Sequence, residues 1–321
     1  MSNVFVTGGS GFVGQNLIPL LVSKGYRVKA LARSKTAAAK LIELGAEVVT
    51  GDLLDAKASA VGVKDCQSVF HLAASVDFFA DEKELYNLHV GAVKILVPAC
   101  KIAGVKRLIY LGAASVIMNG RAINGATEDF KSDHIVDGYS RTKLEAETFV
   151  LQSADKDFST ISLRPPLIWG KGEANVLPQV TEAVKKGQMQ FIGGGKHKFV
   201  TCHVRNVCEA LIQAEQSWQS GKAYFINDAE PQVFKDFITK YLATQKVLVP
   251  DKSVPLPLAK VVADLMEFVW KAFKLKGHPP LYRGMVNALG LEFITSDAKA
   301  RRELNYKPLM SISEGLKEMQ T

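Results

Sequence analysis

Val4-Phe5-Val6-Thr7-Gly8-Gly9-Ser10-Gly11-Phe12-Val13-Gly14 opens the chain and decides how the rest of it is read. Val4-Phe5-Val6-Thr7 is a short run of strand-forming residues that stops at clustered glycines. Leu17, Leu20 and Leu21 then recur at helical spacing. A buried strand that turns tightly and feeds a helix is the expected structure. Gly9, Gly11 and Gly14 have the G-x-G-x-x-G spacing in that strand–turn–helix context. Glycine there allows the turn, lets backbone approach a pyrophosphate, and brings helix and strand close together. The helix N-terminus adds unbonded N–H groups and partial positive charge. The stretch is therefore expected to hold a dinucleotide, through Gly8, Gly11, Phe12, Val13 and Gly14.

Working outward, short apolar segments at 27–32, 47–50, 68–72, 107–111 and 159–163 read as further strands. Helical patterns lie between them, notably at 16–23, 36–44, 84–103 and 139–153. That alternation predicts an α/β fold, a Rossmann-type doubly wound parallel sheet with helices on both faces. The rhythm changes after Arg164-Pro165-Pro166, and 223–227 reads as a late strand returning to the main sheet. From Pro231 onward the pattern is mostly helical. The expected division is a dinucleotide-binding domain over 1–165, to which 201–228 returns. A smaller, mostly helical substrate-binding domain would comprise 166–200 and 229–321.

Bulk composition narrows the function classes. The chain has 321 residues, 47% hydrophobic and 22% charged, which is globular and long enough for a full core. A net charge of +8 comes from dispersed Lys and Arg without a basic run, so no nucleic-acid partner is expected. Cys66, Cys100, Cys202 and Cys208 form no C-x-x-C pair or zinc-type cluster. Reduced thiols, no metal and a cytoplasmic location are expected, with no room for a signal peptide before the first strand and no transmembrane span.

Two patterns carry chemistry beyond the glycine turn. Tyr139 and Lys143 are four residues apart, on one face of a helix. A nearby ammonium stabilises a phenolate, so Lys143 is expected to lower the Tyr139 pKa toward a range useful for proton transfer and to hold a ribose. In 258–275, Lys260, Asp264, Glu267, Lys271 and Lys274 make one charged stripe beside a broad apolar face. Packing of that face on the substrate domain is the leading expectation; a lid or a membrane-surface contact is the alternative.

With these residues in view, the chain resembles the extended short-chain dehydrogenases/reductases, the epimerase/dehydratase superfamily. Thr7 to Gly14, Tyr139/Lys143, Gly51-Asp52-Leu53, His71-Leu72-Ala73-Ala74, Arg164-Pro165-Pro166, Glu128-Asp129 and Leu304-Asn305-Tyr306-Lys307-Pro308 carry the likeness. The tail from Val254 is most similar to the 3β-hydroxysteroid dehydrogenase group and its dihydroflavonol-reductase relatives. The resemblance implies that Asp52 and Leu53 meet the adenine, Ala73 and Ala74 flank the cofactor, and Pro166 lies near the nicotinamide. It implies Tyr139 and Lys143 as catalytic residues that also contact the cofactor. A homodimer through the helices at 84–103 and 139–153 is implied too. Two positions depart from the pattern. Ala113 stands where a Ser or Thr should bond the substrate oxygen, and Leu88 stands where an asparagine is usual. Ser115, two residues on, lies on the same side if the backbone is extended, and is the candidate replacement.

An acidic residue usually ends the second strand of an NAD-selective site. Here Ala32 is followed by Arg33, whose guanidinium suits a 2′-phosphate, so NADP is expected, with NAD possible. Loops at 75–81, 116–126 and 167–171 are expected to face substrate, and Phe78, Phe79, Ile117, Met118 and Trp169 make them apolar. His197 and His203 lack a third metal-spaced partner and are expected to be structural. These features predict an NADP(H)-dependent oxidoreductase interconverting a secondary alcohol and a ketone on a small hydrophobic, steroid-like or long-chain 3-oxo substrate. An NAD-dependent sugar epimerase/dehydratase and a non-catalytic NADP-sensing regulator are the alternatives.

Overall fold

The structure is a computed structural model that describes residues 2–75, 81–275, 277 and 279–320. Seven strands form its main sheet: β1 (Asn3–Thr7), β2 (Arg27–Ala32), β3 (Glu47–Thr50), β4 (Ser68–His71), β5 (Arg107–Leu111), β6 (Ser159–Arg164) and β7 (Lys222–Phe225). Their order is β7-β6-β5-β4-β1-β2-β3, and every pairing is parallel. The expected Rossmann-type sheet is what forms.

Side-chain alternation builds a core on each face. Val4 and Val6 point into one cluster with Leu17 and Leu21 of the Phe12–Ser23 helix and Val207 and Leu211 of the Val204–Gln216 helix. Phe5 points into the other, with Val63, Leu96, Val97, Ala146 and Val150 from the helices Ala56–Val63, Ala92–Ile102 and Gly138–Gln152. Residues of both faces are buried, which is why these strands read as continuous apolar runs. Connections leave β1 toward β2 on one side and reach β4 on the other, so the sheet's switch point lies between β1 and β4.

A further core gathers Trp169, Phe191, Phe199, Phe234, Phe237 and Tyr241 around the helices Val176–Lys185 and Phe234–Ala243. Asp228, nearly inaccessible, sits beside it and accepts from Trp169 Nε1 (2.8 Å), Thr201 Oγ1 (2.7 Å), His203 N (2.8 Å) and Asn206 Nδ2 (2.7 Å). A buried carboxylate is tolerated when its lone pairs are filled in this way. The distal part of the chain is largely helical, as the sequence suggests. It also returns to the first core: Ala300, Leu304 and Tyr306 are buried there, and the Tyr306 hydroxyl donates to Asn227 O at 2.8 Å. Lys299 Nζ donates to Ala223 O on the edge strand β7 at 3.1 Å.

The helix Leu256–Ala272 packs only part of its apolar face. Ala259 and Ala263 are buried against the helix Arg283–Gly290 and its surroundings, Val262, Met266, Val269 and Trp270 are half-buried, and Leu258, Val261, Leu265 and Phe268 are exposed. Among the described residues no helix is long and apolar enough to cross a membrane.

Candidate active site

The glycine turn closes on the end of β4. Gly8 has φ +71°, and a Cβ there would stand 2.6 Å from Ala73 N. A Cβ on Gly14 would stand 2.5 Å from Gly8 O and from Gly9 Cα. Any side chain would fill this cradle, and the left-handed backbone at Gly8 disfavours one as well. The Phe12–Ser23 helix begins at Gly11, and no side chain caps it among the described residues. Its first-turn N–H groups therefore face the turn, a fit for a pyrophosphate.

The other expected cofactor residues line the same edge of the sheet. Arg33 follows β2 directly, its side chain 82% exposed, and its Nη1 lies 3.9 Å from Asp52 Oδ2 beyond β3. Asp52 Oδ1 accepts from Leu54 N at 2.9 Å, and Leu53 is buried. Ala73 and Ala74 lie just past β4, and Pro166 just past β6; all three are half-buried. Next to Pro166, Pro165 O accepts from Ala114 N at 2.8 Å, which ties the ends of β5 and β6 together.

The catalytic pair occupies the first turns of the Gly138–Gln152 helix. Asp137 caps it, its side chain accepting from Ser140 N at 2.7 Å. Tyr139 is nearly buried in a small apolar cluster with Leu85 and Ala113. Burial first, and then the Asp137 carboxylate, push the Tyr139 phenol above its ordinary range. The expected lowering by Lys143 is not what this setting gives: desolvation dominates, and the Asp137 carboxylate adds to it. Lys143 is 1% exposed; its Nζ donates to Leu111 O at 2.7 Å and stands 4.3 Å from the centre of the Tyr110 ring. Burial pushes its pKa down to about 7, partly opposed by the charge of Glu147.

Ala113, which stands where the resemblance expects a Ser or Thr, is extended and shares the Tyr139 cluster. Ser115 is not in extended backbone; it lies in the 3₁₀ turn Ala114–Ile117, so the same-side argument does not apply. Its hydroxyl accepts instead from Ser140 Oγ at 3.0 Å, and Ser140 Oγ also lies 3.1 Å from Asp137 Oδ2. Ser115 is thus tied to the helix cap rather than placed by strand alternation.

Expected substrate residues divide. Met118 is half-buried beside the cluster that buries Ile117 with Phe225 and Phe293, so Ile117 is core rather than lining. Trp169 is wholly buried, its ring edge-on to His203 and Phe237, and it packs the junction between cores. Phe78 and Phe79 lie outside the described residues. His203 caps the Val204–Gln216 helix, and His197 stacks on Phe234 at 4.9 Å, both in structural positions.

Two parts of the site escaped the sequence reading. His89, in the π-helical turn Asn87–Gly91, meets the Tyr139 ring edge-on at 5.5 Å. Its Nε2 accepts from Ser75 N at 3.2 Å, and its Nδ1 lies 2.9 Å from Thr142 Oγ1. Since Nε2 accepts, the proton belongs on Nδ1 and is donated to Thr142. Burial holds the His89 pKa down, to about 3, so the ring is neutral at ordinary pH. One turn past Lys143, buried Glu147 accepts from Ser162 Oγ (2.5 Å) and from Arg164 Nη2 (2.5 Å) and Nε (3.0 Å). The only advance signal was position: Glu147 repeats the four-residue step from Tyr139 to Lys143.

A family model for the 3-beta hydroxysteroid dehydrogenase/isomerase family matches residues 5–258. The chain is 34% identical to 4-hydroxy-2-methyl-3-oxo-4-farnesyl-3,4-dihydroquinoline-1-oxide ketoreductase of Stigmatella aurantiaca, over 97% of this chain and 94% of that protein. It is 32% identical to the decarboxylating sterol-4-alpha-carboxylate 3-dehydrogenase of Dictyostelium discoideum, over 99% and 100%. With the 2-alkyl-3-oxoalkanoate reductase of Stenotrophomonas maltophilia the identity is 31%, over 98% of each. In fold the chain is similar to UDP-glucuronic acid 4-epimerase from Bacillus cereus in complex with NAD (TM-score 0.74, 17% identity, 99% and 98% covered).

Proposed function

The chain belongs to the 3-beta hydroxysteroid dehydrogenase/isomerase family of NAD(P)-dependent oxidoreductases acting on hydrophobic 3-hydroxy or 3-oxo substrates, and we propose that it reduces a ketone with NADPH. The substrate class we favour is a long-chain 3-oxo or steroid-like molecule. The observation that carries this reading is the placement of Tyr139. Its phenol is set in an apolar cluster with Leu85 and Ala113, at the end of β5 and one helical turn from a buried lysine.

A bound nicotinamide would supply the hydride. Tyr139, its pKa raised, keeps its proton at neutral pH and is the donor to the developing alkoxide. Lys143 gives one of its three N–H donors to Leu111 O, and the other two serve the cofactor ribose. When Ser140 donates to Ser115, the Ser115 proton is left for the substrate oxygen. The uncapped turn through Phe12, Val13 and Gly14 takes the pyrophosphate. Arg33 takes the 2′-phosphate, because its exposed 3.9 Å pairing with Asp52 is a weak competitor.

Parallel fluorescence titrations with NADPH and NADH test the cofactor arm. Preference for NADPH that shrinks in Arg33→Ala supports it, and equal binding by the parent protein sinks it. A panel of apolar and polar ketones tests the chemistry. Turnover of the apolar ones, lost in Tyr139→Phe with cofactor binding retained, is the expected result.

A further inference from the structure

His89 is a buried polar side chain to which the proposed reaction gives no part. It is 1% exposed and lies in the π-helical turn Asn87–Gly91, a local widening that recurs at functional sites. Three segments meet on its ring. From the end of β4, Ser75 N donates to Nε2 at 3.2 Å. On the catalytic helix, Thr142 Oγ1 accepts from Nδ1 at 2.9 Å. The Tyr139 ring stands edge-on at 5.5 Å, the two planes 84° apart. The Thr142 hydroxyl then turns its own proton to Gly138 O at 2.9 Å and Tyr139 O at 3.0 Å. Every donor in this series points the same way, from Ser75 through the imidazole and Thr142 to the backbone of Tyr139.

We propose that, given Tyr139 as the proton donor of the proposed function, His89 is the residue that positions it. Its ring edge braces the Tyr139 ring, and through Thr142 it fixes the first turns of the catalytic helix, with Ser75 as the anchor. An imidazole is an unfavourable way to fill buried space, since both nitrogens must leave water and find new partners. The apolar neighbours of Tyr139 are Leu85 and Ala113, and a leucine at position 89 would serve packing alone. What a leucine would not supply is direction. Hydrogen bonds at both nitrogens leave the imidazole one tautomer and one ring plane. That plane sets the edge against which the Tyr139 ring rests. Hydrogen bonds in series also polarise one another, which strengthens each link.

The anchor ties two halves of the site together. Ser75 follows Ala73 and Ala74, and the glycine turn closes on Ala73, 2.6 Å from where a Cβ on Gly8 would stand. Lys143 follows Thr142 directly, and its Nζ is held on Leu111 O at the end of β5. The series from Ser75 to Thr142 therefore joins the strand end beside the cofactor cradle to the helix that carries both donor and lysine. Proton transfer needs the phenol within hydrogen-bond reach of the substrate oxygen. A displacement of about 1 Å can lower the rate about a hundredfold. His89 thus acts on kcat, and binding of ketone and NADPH is left to other residues.

Three variants of the full chain test this, beside Tyr139→Phe. His89→Leu loses both hydrogen bonds. Thr142→Val, close in shape, cuts the series from the helix side. His89→Asn returns an amide N–H near the place of Nδ1. With an apolar ketone and NADPH, kcat should fall roughly ten- to a hundredfold in His89→Leu and Thr142→Val, with KM and the NADPH dissociation constant within about twofold of the parent. His89→Asn should recover most of that loss. Unchanged kcat in both cut variants overturns the inference, and so does a loss that His89→Asn does not restore. A second measurement does not depend on the reaction. Flipping of the Tyr139 ring, followed by NMR on ring-labelled tyrosine and assigned by its absence in Tyr139→Phe, should quicken about tenfold or more in His89→Leu. An unchanged flip rate overturns the inference even where the ketone is turned over. Turnover that survives Tyr139→Phe strikes the proposed function instead, and the flip rate then decides alone whether His89 braces that ring.

Discussion

Lys143→Met isolates what the buried ammonium costs the fold. The side chain is 1% exposed and its pKa falls from 10.5 to about 7. At about 1.4 kcal/mol per pH unit, the native state pays nearly 5 kcal/mol when the group is fully protonated, roughly 4 at pH 7 and under 1 at pH 10. The sign follows from proton counting. Between pH 7 and 10.5 the unfolded chain holds the proton more often than the native one, so this group makes native stability rise with pH. Methionine fills a similar volume without the charge, and its variant lacks that rise. Loss of the hydrogen bond to Leu111 O offsets part of the gain, by about 1–3 kcal/mol, at every pH. The net advantage of the variant at pH 7 is therefore about 1–3 kcal/mol. The sharper quantity is the change in that advantage, which should shrink by about 3 kcal/mol between pH 7 and pH 10. Urea unfolding of both proteins at the two pH values, followed by circular dichroism, measures it. A change under about 1 kcal/mol would refute the reasoning, since desolvation would then not be what depresses Lys143. The same variant should lose turnover.

Three further substitutions test neighbouring parts of the site. Ala113→Ser places a hydroxyl beside Tyr139; kcat should rise several-fold with little change in KM, and no rise would leave the carbonyl contact to Ser115. Glu147→Gln unpairs the buried Arg164 and should cost about 3–5 kcal/mol, read as a lowered Tm; an unchanged Tm would mean that Arg164 finds another partner. Gly8→Ala puts a Cβ 2.6 Å from Ala73 N in a left-handed backbone; cofactor affinity should drop at least tenfold by fluorescence titration, and retained affinity would show that the cradle yields.

The main sheet was legible because its strands are buried on both faces, which leaves apolar runs such as Val4-Phe5-Val6 with glycine at their ends. The cofactor cradle was legible for a related reason: Gly8 and Gly14 meet backbone that no side chain can displace. Burial of a particular side chain is different, because distant elements decide it. Nothing near Trp169 in the sequence announces Asp228 as its partner, 59 positions away. The rise of the Tyr139 pKa likewise depends on packing that a four-residue spacing does not encode. Ser115 was placed by assuming that the strand continues, whereas the chain folds into a 3₁₀ turn after Ala113. The helix at 256–272 has the pattern expected of it, but a pattern does not say which face meets the body. Two alanines do, while Leu258, Val261, Leu265 and Phe268 are left outside.

Lys299 on Ala223 O, with Ala300, Leu304 and Tyr306 behind it, has a bearing on how the protein is made. Strand β7 is an outer edge of the sheet, and unpaired edges recruit other chains. Its cover is encoded about 75 residues later than the strand itself, and Tyr306 follows Val6, its companion in the first core, by 300 residues. At about 5–20 residues per second, a ribosome delivers that last piece some 15–60 s after the first strand. The first core is incompletely covered through that interval, and the β7 edge stays open for its last 75 or so residues, about 4–15 s, a window in which other chains can pair with it.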